Sequence, residues 1–455
     1  MQNYVWTREV PKVTGYNTAV IGGGPAGVAA AISAARNGAK TILIESLGAL
    51  GGLSTNGLVS ILDTTCDGKR TITGGVMLEI LDAMFERGLF EPIYRRERFV
   101  TQIGQYTPFD GEGMKRLLDD LCEAYGVEVS FFTTLVDAAV SHSNGRTVVD
   151  GILIHTVEGL KMLKADTYID TTGEGTLSAL CGMDFEAPMT EECPSAMGAT
   201  LCAEFSGINW EGQETRDGRF VLQGEAIRAG QKDGMFTYNE KMVPGLARNG
   251  FVTANVNAGH LFDQNPLSAK CMSEGMRLGR KIVWEYANCF RKYLSGCENL
   301  KVSATGTLLG IRESRRIIGE YVLTIEDFIA RRKFPDQIGI YSKSVDIHPY
   351  SASKAEYERF KKENTETLKY EVGDTYGIPY GVIVPKGAEN LWVAGRCASC
   401  DRKMHGSLRV QPVAYVMGQA AGTAAAIASR KNCTSMEVDV SLLRETLASQ
   451  NAIVD

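Results

Sequence analysis

Residues 20–45 read VIGGGPAGVAAAISAARNGAKTILIE, and this stretch decides the fold. Thr18-Ala19-Val20-Ile21 is a short run of strand type, and Gly22-Gly23-Gly24-Pro25-Ala26-Gly27 follows it. Residues 28–37 are rich in alanine, with good helix propensity, and Gly38 stands where a helix would stop. Thr41-Ile42-Leu43-Ile44 is a second buried strand that ends at Glu45. Strand, turn, helix and strand make one compact βαβ unit. In Gly22-x-Gly24-x-x-Gly27 the first glycine permits a tight turn. The second lets backbone approach a pyrophosphate, and the third lets helix and strand pack closely. The helix N-terminus turns free N–H groups and a positive dipole end toward the phosphates. Three glycines alone can mark any turn. Here they lie between a strand and a helix, with Glu45 23 residues after Gly22, which is the context a dinucleotide site requires. Glu45 is placed to accept hydrogen bonds from the adenosine ribose, and its charge would repel the extra phosphate of an NADP.

Outward from this unit the same grammar returns. Residues 113–125 read as a helix with Leu117, Leu118 and Leu121 on one face. Residues 127–132, 135–139 and 151–157 read as strands, with a Ser143-Asn144-Gly145 turn between the last two. Tyr168-Ile169-Asp170 leads into Thr171-Thr172-Gly173-Glu174-Gly175, a strand and a glycine turn. Residues 268–294 read as a helix and 340–347 as a strand. Leu391-Trp392-Val393-Ala394, then Gly395-Arg396, then an Ala- and Gly-rich helix over 412–429 close the chain. Dinucleotide-domain grammar brackets the sequence, so the middle reads as an insertion. The expected fold class is α/β: a discontinuous Rossmann-like domain with an inserted mixed α+β substrate or cap domain. The expected boundaries are 1–185, 186–383 for the insert, 384–432, and a C-terminal tail over 433–455.

Composition removes several function classes. The chain has 455 residues, 44% of them apolar and 22% charged, with a formal net charge of −6. That is a globular composition with ample length for a large core. It carries no basic stripe for nucleic acid and no apolar run of the roughly 18 residues a membrane span needs. The first 18 residues hold no apolar segment of signal-peptide type. Eleven scattered cysteines do not form the framework of a small secreted domain, which implies a reducing compartment, the cytoplasm. The five histidines do not sit with cysteines at zinc spacing, so no metal is expected.

Two features favour FAD over NAD. Leu50-Gly51-Gly52-Leu53-Ser54-Thr55 follows the second strand, where glycines would let a long cofactor run past the backbone. The helix beginning near Pro412 offers a second positive dipole end, suited to negative charge on a reduced flavin. At this point the chain resembles the glutathione-reductase-type FAD superfamily, and within it the FAD-dependent oxidoreductase family. The resemblance spans nearly the whole chain. It rests on residues 20–45, GGLST at 51–55, DTTGEG at 170–175, LGIRESRRIIGEY at 309–321, YGIPYGVIVPKGAENLWVAGR at 376–396 and GSLRVQPVAYVMGQAAGTAAA at 406–426. The last three are the specific ones.

The resemblance implies that Gly22, Gly24, Pro25, Ala26 and Gly27 hold the pyrophosphate and that Glu45 and Ser46 meet the ribose. Gly51, Gly52, Leu53, Ser54 and Thr55 would line the path to the flavin. Val136 would touch adenine through its backbone, and Thr172 and Gly173 would sit beside the adenosine. Gly395 and Arg396 would flank the ribityl chain, and Gln419, Ala421 and Gly422 would lie near the pyrimidine edge of the ring. One departure stands out. Family members often carry Ser-Ala-Thr-His after the Gly-Arg-Cys, whereas here Ser399-Cys400-Asp401-Arg402 puts an arginine in the histidine's place, three residues before His405.

For the reaction itself the candidates are His348, Arg312, Arg409 and His405. A histidine can take a hydroxyl proton as hydride leaves carbon. An arginine can fix a carboxylate or another polar group with paired hydrogen bonds. His260 is a weaker version of the same idea. Cys397-x-x-Cys400 reads as ordinary reduced thiols rather than a redox pair, and Gly306-Thr307-Leu308-Leu309-Gly310 is not a second dinucleotide fingerprint. The expected activity is hydride transfer between a small polar substrate, carbohydrate-like or carboxylated, and flavin N5, with an unidentified electron acceptor or donor as partner. Substrate reduction, oxygen-using oxidation and a non-enzymatic flavin-binding sensor stand as alternatives. An open cavity lined by His348 and Arg312 would count against the sensor.

Overall fold

The computed structural model describes residues 5–143, 145–189, 195–238, 240, 245–363 and 368–455. Asn144 of the expected turn lies outside them. The opening unit forms as its sequence dictates. Strand β1 (Lys12–Ile21) enters the Gly22 turn, helix α1 (Pro25–Arg36) follows, and β2 (Thr41–Ile44) pairs parallel to β1. Pro25 occupies the first turn of α1, where its missing N–H costs no hydrogen bond. Gly38, at φ 87°, turns the chain out of the helix.

Helix α2 (Gly111–Ala124) starts at Asp110, whose carboxylate accepts the N–H groups of Glu112 and Gly113 at 2.9 and 3.1 Å. Such a cap contributes about 1 kcal/mol. The strand expected over 127–132 shortens to β3 (Glu128–Ser130), because Phe132 takes a left-handed φ of 51° and ends the ladder. Then β4 (Thr134–Ser143), β5 (Arg146–Thr156) and β6 (Gly159–Asp170) run as an antiparallel meander.

The main sheet has the order β3-β2-β1-β6-β5-β4. The start of β6 pairs with β5. Its end pairs in parallel with β7 (Leu391–Val393), more than 200 residues later. Chain end and chain start therefore build one sheet. The final long helix, α3 (Gln411–Lys431), lies along α1. A Cβ at Gly418 would sit 2.1 Å from the Ala26 carbonyl oxygen, and one at Gly422 would sit 2.0 Å from that of Ala30. Glycines four apart on one helix thus face alanines four apart on the other. The surrounding core includes fully buried Trp392, whose indole N–H donates to Tyr380 Oη at 2.9 Å.

A second core gathers buried residues between Ala199 and Ile311, around a four-stranded antiparallel sheet. Its strands are 203–206, 245–248, 254–257 and 301–305, covered by the helix Ala269–Tyr293 capped by Ser268. Residues from Leu323 to Val384 pack instead in the first core, as do Val438, Leu443, Leu447 and Val454 of the C-terminal segment, which forms a helix over Val440–Ser449. The strand expected over 340–347 is Gln337–Tyr341. Residues 342–347 leave it because their side chains are claimed elsewhere. Ser342 Oγ donates to the Cys66 carbonyl at 2.8 Å, and Lys343 Nζ pairs with Asp63 at 3.2 Å. Among the described residues no helix is long and apolar enough to cross a membrane, and no group of three or more His, Cys, Asp or Glu side chains could hold a metal.

Candidate active site

The parallel strands β1, β2, β6 and β7 all end at one cavity of about 500 Å³. Ligands collect outside the carboxyl ends of such sheets. Ile21, Gly22, Gly24, Pro25 and Ala26 form one wall, with Glu45, Ser46, Gly52 and Leu53 beside them. Gly22, at φ 103°, could carry no side chain: a Cβ there would meet the Thr171 carbonyl at 2.8 Å. At Gly27 it would meet the Gly22 carbonyl at 1.8 Å. Glu45 is buried, and its carboxylate accepts the N–H groups of Gly23 at 2.7 Å and Leu47 at 2.8 Å. It therefore ties the fingerprint turn to the end of β2.

Thr171, Thr172, Gly173, Ala394, Gly395 and Arg396 line the neighbouring wall, where Arg396 pairs with Glu174. Buried Asp170, given no role in the sequence reading, accepts four hydrogen bonds from Thr172 and Ser178 and so fixes this loop.

The far end of the cavity is built from side chains on separate segments. Thr200, Cys202, Asn257, Met272 and residues 308–312 come from the second core. Asp346, His348 and Arg409 come from the first. In the 312–316 cluster, Glu313 pairs with Arg402 at 2.7 Å and Arg316 with Glu186 at 2.5 Å, while Arg315 donates to the Glu174 carbonyl at 3.2 Å. Arg312 differs. It is buried, its Nη1 donates to the Gly198 carbonyl and, at 3.0 Å, to Thr200 Oγ1, and among the described residues no carboxylate pairs with it. Burial lowers its pKa to about 10. Arg409 Nη2 donates to the Asp346 carbonyl at 2.9 Å and lies 3.2 Å from its Oδ2, and its buried Nε has no partner among the described residues.

His348 lies between Asp346 and His260: Nε2 is 3.3 Å from Asp346 Oδ2, and Nδ1 is 2.8 Å from His260 Nε2. His260 Nδ1 in turn meets Glu240 Oε2. Burial, then the nearby Arg312, push the His348 pKa down to about 3, so the ring is neutral near pH 7.

A family model described as FAD dependent oxidoreductase matches residues 18–447. The chain belongs to that family. No curated protein sequence matches this FAD-dependent oxidoreductase. A solved geranylgeranyl bacteriochlorophyll reductase-like protein from Thermoplasma acidophilum is 14% identical, with 96% of this chain and 84% of that one covered and a TM-score of 0.50. The likeness is one of fold. The myxobacterial chondrochloren halogenase CndH is 13% identical over 97% of this chain and 79% of its own, with a TM-score of 0.42.

The cavity suits FAD on its own terms. Helices α1 and α3 both start at it, neither is capped by a side chain, and Pro25, Ala26, Val410 and Gln411 are among its lining residues. Two positive helix ends thus face a ligand that carries a pyrophosphate and gains negative charge on reduction. Of the expected cofactor contacts, Gly22, Gly24, Pro25, Ala26, Glu45, Ser46, Gly52, Leu53, Thr172, Gly173, Gly395 and Arg396 line the cavity.

The structure places the others elsewhere. Gly27 is used in helix–turn packing. Gly51, Ser54 and Thr55 are closed into their own loop, Ser54 Oγ donating to the Gly51 carbonyl at 2.6 Å. Val136 is exposed, and Thr133, Thr134 and Leu135 line the wall in its stead, because the chain swings into β4 there. Gln419, Ala421 and Gly422 are buried in the core rather than on the cavity wall; Gln419 Oε1 accepts the Val76 N–H at 3.0 Å.

His405 is also off the cavity, held with its Nε2 2.8 Å from the Arg396 carbonyl. Cys397 and Cys400 are buried free thiols whose pKa burial pushes up, and neither lines the cavity. Glu240 was missed altogether. No spacing in the sequence ties residue 240 to residue 348.

Proposed function

We propose that this FAD-dependent oxidoreductase oxidises a C–OH or C–N bond of a small polar substrate held at the Arg312 end of the cavity. The observation that carries the reading is Arg312 itself, a buried guanidinium on the cavity wall with no carboxylate partner among the described residues. An anionic or strongly polar substrate group would supply the missing partner. When bound, FAD supplies a two-electron acceptor for hydride at N5. His348, neutral and on the same wall, is placed to take the hydroxyl proton. Arg409 would hold Asp346 in place and offer a further donor to the substrate.

We assign the second core and its sheet as the cap over the substrate, and an unidentified acceptor as the partner that removes the electrons. DTTGEG at 170–175, closing β6 against the Gly22 turn, supports the glutathione-reductase-type lineage. The ten cysteines among the described residues are all free, which supports a reducing compartment.

The test is anaerobic: purify the yellow protein and screen metabolites, with carboxylates among them, for loss of the flavin's visible absorbance. Bleaching by a hydroxy or amino compound is expected. Bleaching only by NAD(P)H would replace this reading with substrate reduction, and oxygen uptake with peroxide release would identify oxygen as the acceptor.

A further inference from the structure

We propose that Glu240 and His260 form, with His348 and Asp346, a proton relay that sets which nitrogen of His348 carries its proton. The proposal rests on His348 as the base in the reaction above. Glu240 and His260 touch neither substrate nor flavin in this scheme; they are positioning residues.

Proton counting makes the case. Three hydrogen bonds join the four side chains: Glu240 Oε2 to His260 Nδ1, His260 Nε2 to His348 Nδ1, and His348 Nε2 to Asp346 Oδ2. Each bond needs one proton. Two carboxylates and two neutral imidazoles bring only two. The fully bonded row therefore stores one extra proton.

Its place follows from the neighbours. Burial favours protonation of Asp346, but His348, Lys343 and Arg409 hold its carboxyl well below the usual range. His348 is neutral, so its Nε2–H donates to Asp346, and its Nδ1 accepts from His260 Nε2–H. The extra proton then lies between His260 Nδ1 and Glu240. Both of those residues are 3% exposed, and Glu240 Oε1 also accepts the His260 backbone N–H at 2.6 Å. A buried carboxylate anchored in this way fixes the imidazole tautomer beyond it.

Loss of the stored proton changes the row. Glu240 then accepts His260 Nδ1–H, His260 Nε2 accepts His348 Nδ1–H, and His348 Nε2 is left unprotonated beside Asp346, which also lines the cavity. In the reaction the substrate O–H bond breaks and an Nε2–H bond forms. The C–H electron pair leaves as hydride to the flavin, and the carbonyl forms. The row is back to three protons, and one returns to solvent before the next turnover. Charged and titratable groups around the row are Arg312, Arg409, Lys343, Asp63 and Tyr106 on the cavity side, and Tyr238 and Tyr286 near Glu240.

The test needs no substrate. FAD-loaded full-length protein labelled with ¹⁵N at histidine is followed by NMR across pH. His348 is expected to switch from its Nε2–H to its Nδ1–H tautomer in one step with the change at His260, and Glu240→Gln is expected to abolish that coupling while flavin stays bound. A single His348 tautomer at every pH, or a coupled switch that survives Glu240→Gln, overturns the relay. If Glu240→Gln fails to hold flavin, His260→Gln is followed instead, and there the pH-dependent tautomer switch of His348 is expected to disappear. With any substrate found in the screen, Glu240→Gln is expected to slow flavin reduction at least about tenfold and to move its pH profile; reduction unchanged in rate and pH profile counts against the relay. A screen that finds no substrate leaves the NMR outcome standing, so the two readings fail separately.

Discussion

The two ends of the cavity are built by opposite means. At the Gly22 end the wall is turns, strand ends and an uncapped helix start: residues of the 21–53 stretch, joined by 133–135, 171–174 and 394–396. At the Arg312 end the wall is side chains, drawn from positions 200, 202, 257, 272, 308–312, 346, 348 and 409. A backbone-built site needs absent side chains, so any added atom is harmful. A site built from side chains needs particular charges, so an isosteric change is enough to disable it while the fold stands.

The largest expected effect tests the first half of that contrast. Gly27→Val and Gly422→Val each force a side chain to within about 2 Å of a backbone carbonyl, where no rotamer gives relief. Overpacking of this kind costs about 3 kcal/mol or more. Flavin content after purification and the thermal midpoint are the measurements, and both are expected to collapse. A yellow, stable Gly422→Val protein would show that α1 and α3 can part without opening the FAD end.

Arg312→Met tests the second half and should do less. It keeps much of the side-chain volume and removes a buried, unpaired charge, so the fold is expected to hold and FAD to bind as before. Substrate binding should weaken by about ten- to a hundredfold, the loss of one charge-assisted contact of roughly 1.5–3 kcal/mol. A titration that follows flavin absorbance with a substrate from the screen separates the two effects. If FAD affinity falls instead, Arg312 belongs to the cofactor end and the division of the cavity moves.

The same contrast explains what was legible in advance. Gly22, Gly24, Glu45 and Gly52 could be read because a turn, a helix start and a strand end are local events, dictated by neighbours in sequence. The helix over residues 268–294 could be read as well, and in the structure Ser268 caps it. Gln419, Ala421 and Gly422, which the resemblance put near the flavin ring, are buried in the core, where Gly418 and Gly422 let α3 pack closely on α1. Glu240, His260 and His348 meet only because the second sheet packs across the first core. Their proximity is a tertiary fact. The signal present, Asp346-Ile347-His348, located one pole of the relay and gave no direction to the other.

The smallest effect is also the one that only the side-chain end can show. His348 has a pKa of about 3 in the folded protein, against 6.5 for an ordinary histidine. Between those values the unfolded chain binds a proton that the folded chain refuses. Stability should therefore be level above pH 6.5 and fall on acidification through that window, by at most about 1.4 kcal/mol per pH unit from this residue. Buried His405, also held well below the usual value, adds a slope of the same sign. Asp346 acts separately: its depressed pKa contributes stability above the ordinary carboxylate range and loses it further down. The clean window is thus about pH 6.5 to 4.5. Urea midpoints measured there should show a shallower decline for His348→Gln than for the parent, with the two curves parallel above pH 6.5. Equal slopes would mean that folded His348 titrates near its ordinary value, so that over this acidic window it would carry a proton and could take none from substrate.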